Sequence, residues 1–147
     1  MAEVSPNRLR ARRLLLGGLA GGHIAGFATV VVFGFASGLV GALSAAVAAV
    51  VVIAFFTIGQ GVQVVVADAE PRVVLISALA SYAFRVSVLG VLLMVVLGNP
   101  VTFAALDRIG LVVATIATVI GWLVGEFWVF ARLRIPVYDS TEGGITT

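Results

Sequence analysis

Apolar positions along this chain gather into four long blocks separated by short polar breaks. After a polar start, Met1 to Arg13, the first block runs from Leu14 to about Ala36. The second spans about Gly38 to Ala67 and is parted from the first only around Ser37-Gly38. Asp68-Ala69-Glu70-Pro71-Arg72 ends it, with Pro71 unable to continue a helix. The third block is Val73 to Leu97, closed by a Gly98-Asn99-Pro100 turn, and the fourth is Ile109 to Ala131. Within the blocks, apolar residues follow one another instead of alternating, which predicts helices and not the strands of a barrel. About 20 apolar residues carry a helix across a bilayer core, so each block predicts one span. The second block, near thirty residues, has to tilt or protrude. The expected fold is an all-α membrane protein: a basic segment over 1–13, a four-helix bundle over 14–131 and a polar tail over 132–147.

Composition supports this reading. Apolar residues make up 61% of the 147 residues and charged ones 11%, with a mean hydropathy of +1.20. Soluble domains carry about a quarter charged residues, and a fold of this size exposes too much surface to hide so much apolar material. A basic start before an apolar run also fits a signal peptide, but the first block is too long for that and further spans follow. With no cysteine, disulfides and thiolate metal sites are excluded.

All the basic residues are arginines, and their placement sets an orientation. With a cytoplasmic N-terminus, Arg8, Arg10, Arg12, Arg13, Arg72, Arg132 and Arg134 lie inside, and Arg108 alone faces out. The positive-inside rule therefore predicts both termini in the cytoplasm.

One arginine remains, at the middle of the third block. Arg85 there costs about 2.5 to 3.5 kcal/mol to insert and lies too deep to reach either face. Ser77, Ser81 and Arg85 recur every fourth residue, on one stripe of a helix that should face protein or water. Glu126 is the only acid within a block, roughly 10 Å nearer the cytoplasm than Arg85 by helical rise. A direct Arg85–Glu126 pair is one means of compensation; water or another chain is the alternative. His23, Gln60 and Gln63 complete a polar inner half of the membrane. These groups can form an ion or proton path, a docking patch for a charged partner, or simple interhelical hydrogen bonds.

Gly18, Gly22 and Gly26 share one face of the first helix, and Gly121 and Gly125 repeat the spacing in the fourth. Such faces let backbones approach, within the bundle or against a partner helix. No phosphate-binding loop, HExxH, Ser-His-Asp spacing or carboxylate pair is present, so neither catalysis nor a cofactor or metal is expected.

Ala11-Arg12-Arg13-Leu14-Leu15-Leu16 leads into the first block, and Pro71-Arg72-Val73 opens a third block bearing Ala83-Phe84-Arg85-Val86. This order, over about residues 10 to 130, resembles bacterial ATP synthase protein I, a small four-helix protein encoded beside the proton-translocating ATP synthase. The family's central basic residue can be lysine; here it is Arg85. The tail from Arg132 to Asp139 resembles the actinobacterial branch. The resemblance implies an assembly factor in the bacterial plasma membrane that binds c subunits and helps them close into a ring. Arg85, Ser81, Ser77, Gly18, Gly22 and Gly26 are then the expected partner-contacting residues. The expected partners are the c subunits, the lipid bilayer and further copies of this chain in a homo-oligomer, with no nucleic acid. A role in supplying magnesium has also been proposed for the family. The competing expectation is a small Mg2+ or proton carrier lined by Arg85, His23 and Glu126, although a central arginine repels cations and magnesium sites usually need carboxylates.

Overall fold

A computed structural model describes residues 5–99 and 105–133. Arg134, the rest of the tail and Pro100 within the expected turn lie outside the described residues. The described chain forms three helices: α1 (Pro6–Val66), α2 (Pro71–Gly98) and α3 (Arg108–Arg132). All three are long and apolar enough to cross a membrane. The expected count was four, and the difference lies entirely in α1.

α1 holds 61 residues, roughly 90 Å if straight. It is not straight. Gly38, at φ 67° and ψ −153°, is non-helical within it. This backbone region is open essentially to glycine alone, and here it reverses the chain. Residues 6–37 form a first arm and residues 39–66 a second. A Cβ placed on Gly26 would lie 2.8 Å from that of Ala49, and one on Gly22 would lie 3.5 Å from Cγ1 of Ile53. Both pairs sit symmetrically about Gly38, as in a closed hairpin. At its open end, Ser5 Oγ donates to Asp68 Oδ1 at 2.5 Å, and Arg8 Nε pairs with Asp68 Oδ2 at 2.7 Å. This exposed ion pair contributes at most about 1 kcal/mol; the register of the arms comes from their packing.

α3 lies against both arms, and its contact with α1 is the main interface of the fold. Ala45, Ala48, Leu111 and Ala114 are buried together, flanked by Val30, Phe33 and Leu106. Further along, Trp122 is fully buried. A Cβ on Gly18 would run into its indole ring, and Gly22 also faces it. Gly21 and Gly121 meet backbone to backbone, as do Gly17 and Gly125. Small residues here give way to one large ring and to two crossing backbones. α2 is different. It touches α1 sparsely, and no apolar side chain of its described residues belongs to the buried core.

Asp107 ties the start of α3 to the hairpin's turn. Its Oδ1 accepts from the N–H groups of Ile109 and Gly110 at 3.1 and 3.2 Å, capping the helix. Its own N–H donates to Ser44 Oγ at 2.8 Å, and that hydroxyl donates to Val40 O. The Ser37 hydroxyl is the main cause, with the Gly110 and Ile109 N–H groups, that holds the Asp107 carboxyl below the usual carboxylate value. A depressed pKa in the folded state means that this stabilisation is present above the unfolded value of about 3.9 and is lost as pH falls through the folded one. Comparing the thermal stability of the native chain and Asp107→Asn in detergent across this range tests the link. The native chain is expected to hold an advantage near neutral pH that shrinks below about pH 4; a constant difference at all pH values contradicts it.

A buried arginine and a donor-lined cleft

α2 packs along the second arm through a short run of contacts. Phe84 and Phe55 rings lie 6.5 Å apart, centroid to centroid, and Ser81 Oγ lies 3.4 Å from Gly59 O, at the long limit for a hydrogen bond. One turn further along α2, Arg85 reaches the same seam. It is 9% exposed, and its guanidinium carbon sits 5.1 Å from the centroid of the Phe56 ring. Nη2 faces Gln60 Oε1 at 3.5 Å. The group fits because position 59 is glycine: a Cβ there would meet Nε, Nη2 and Cζ of Arg85. Phe56 in turn packs on Trp122 at 5.4 Å, which connects the arginine's seat to the α1–α3 core.

These contacts compensate Arg85 only in part. A cation over an aromatic face contributes about 0.5 to 2 kcal/mol, and a neutral amide oxygen at the limit of hydrogen-bond distance adds little. Nε has no hydrogen-bond partner. The direct pair with Glu126 is not formed. Glu126 stands half-buried on α3, acting on Arg85 through space, and its own Oε1 is buried without a hydrogen-bond partner.

Arg85 also forms part of the lining of a cleft of about 910 Å³ between the start of the first arm, the end of the second and the first turns of α2. Gln60, Gln63 and Tyr82 share this lining, with Asn7 and Arg10 nearer the open end. Gln63 Nε2 is a second buried donor without a partner. Among the described residues the lining holds no acidic one.

The other expected residues fall in different places. Ser77 is half-buried and donates to Val74 O of its own helix at 2.9 Å. His23 is exposed, its Nδ1 2.7 Å from Leu19 O, and it does not join the Arg85 cluster. Gly18, Gly22 and Gly26 are buried against Trp122 and Ala49. That stripe is closed by the chain itself and offers no free face to a partner helix. Gly121 and Gly125 likewise meet the first arm. Phe56, Gly59 and Arg10 were not singled out from sequence; an aromatic four residues before Gln60 was the available signal for the first. Among the described residues no cluster of His, Asp or Glu could hold a metal ion. Comparison with protein-family models, characterised proteins and solved structures finds no match.

Because the Gly18 face is filled by a rigid indole, adding one methyl group there should strain the isolated protein. Gly18→Ala is expected to lose about 1 to 3 kcal/mol by thermal or denaturant unfolding in detergent. Gly61→Ala, where nothing lies within 4 Å, should be neutral or slightly stabilising. Equal effects at the two positions would contradict internal packing of the stripe.

Proposed function

We propose that this chain is an accessory protein of the bacterial plasma membrane that binds c subunits of the F-type ATP synthase and assists their assembly into a ring. In this reading the two arms of α1 each cross the bilayer, so that α1, α2 and α3 make four passes. The geometry favours such a placement: residues 5 and 68 meet at one end of the hairpin, with Arg132 near Arg10 and Arg13, while Asp107 binds Ser44 towards the other. The arginine-rich end is then cytoplasmic, with both termini there.

The observation that carries the functional reading is Arg85. It is a buried, incompletely compensated cation on the helix that the other described helices cover least. A membrane-embedded carboxylate on a partner's helix would supply the missing counter-charge, and the apolar faces of α2 would supply the contact. The resemblance to ATP synthase protein I names the c subunit as that partner. The seat of the contact is α2, with Ser81 and Arg85, and not the Gly18–Gly26 stripe. A cation carrier is the weaker reading, because arginines line the cleft.

Co-purification tests this. Arg85→Ala and Arg85→Gln are expected to reduce c-subunit recovery at least tenfold, the scale of a lost charge-assisted contact, while leaving the membrane topology unchanged. Undiminished recovery of assembled c-rings with either variant would overturn the proposal.

A further inference from the structure

The cleft at the open end of the hairpin has a composition that selects for charge. Five nitrogen-bearing side chains, Asn7, Arg10, Gln60, Gln63 and Arg85, contribute to its lining, and among the described residues no carboxylate does. Two of them end in buried donors without partners, Arg85 Nε and Gln63 Nε2. Gln60 Oε1, an acceptor in the same lining, already faces Arg85 Nη2. A site with unpaired donors and an arginine about nine-tenths buried calls for an anion rich in acceptor oxygens.

The walls narrow the choice. Much of the lining is apolar, including Leu14, Val74, Leu75 and Leu79. At about 910 Å³ the space is far larger than one oxyanion needs. A small hydrated ion would leave these walls uncovered. An amphiphile would use both parts of the site, with its charged group toward the donors and its chain along Leu75 and Leu79. Because α2 packs sparsely on α1, the chain would leave the cleft alongside α2.

We propose that this cleft binds an anionic phospholipid, with Arg10 drawing in the phosphate and Arg85 and Gln63 donating to its oxygens. The bound lipid supplies part of the compensation that Arg85 lacks within its own chain. The inference uses the same arginine as the proposed partner contact but does not depend on that partner, since it concerns the isolated protein in lipid.

Native mass spectrometry of the full chain, released from mixed vesicles of phosphatidylglycerol and phosphatidylcholine with matched acyl chains, tests it. The native protein should retain phosphatidylglycerol over phosphatidylcholine by roughly tenfold, the scale of a charge-assisted hydrogen bond. Arg85→Gln should abolish most of this preference. Arg10→Gln, at the cleft's open end where folding is not at stake, should weaken it too. Equal retention of the two lipids by the native protein overturns the proposal, as does a preference that survives both substitutions. Displacement of the lipid by millimolar inorganic phosphate would assign the site to the free ion and likewise overturn it. Because no c subunit is present, loss of lipid preference with intact c-ring binding, or the reverse, tells the two proposals apart.

Discussion

Apolar side chains gain little by leaving lipid for the surface of another helix, so helices in a bilayer associate through close packing and through groups that lipid cannot satisfy. In the proposed membrane placement this constraint explains why the chain is built in two unequal parts. α1 and α3 meet through glycine and alanine, which let two backbones touch and let Trp122 fill the space between Gly18, Gly22 and Phe56. That seam is dense and needs few polar groups. α2 has no comparable seam. Its polar contacts with the second arm centre on Arg85 and Ser81, which meet Gln60 and Gly59.

The energetic consequence is a bundle with one tight interface and one loose one. Burying a guanidinium costs several kcal/mol even after relaxation, and Phe56 with Gln60 returns only a fraction. The remainder is a standing affinity for negative charge. A lipid phosphate in the cleft and a carboxylate on a neighbouring helix are chemically related answers to it.

Much of the architecture was legible in the chain's hydrophobic pattern, because continuous apolar blocks leave few alternatives to helices. Even the break near Ser37-Gly38 was visible, as a gap in apolarity of two residues. That the break would be a single glycine turned to positive φ, leaving α1 one element with two arms, was not, since φ at a glycine has no sequence signature of its own. The glycine spacing of Gly18, Gly22 and Gly26 identified a close approach but could not say to what; Trp122, a hundred residues away, decided it. Arg85 stood out as a cost from its position alone. Its partners did not, because a cation over Phe56 and a seat on Gly59 depend on the register between α2 and the second arm. The Glu126 pairing was the natural guess from charge, and it fails because the register brings Gln60, not Glu126, within reach of the guanidinium.

The seat of Arg85 on Phe56, Gly59 and Gln60 should hold α2 to the hairpin. The chain contains no cysteine, so a Phe55→Cys, Phe84→Cys pair, at adjoining aromatic positions of the two helices, can be cross-linked cleanly in membranes with a short thiol reagent. With Arg85 present the pair should cross-link efficiently, and adding Arg85→Leu should largely abolish the product by freeing α2 to disperse in lipid. Equal cross-linking in both backgrounds would show that α2 is held by something other than Arg85.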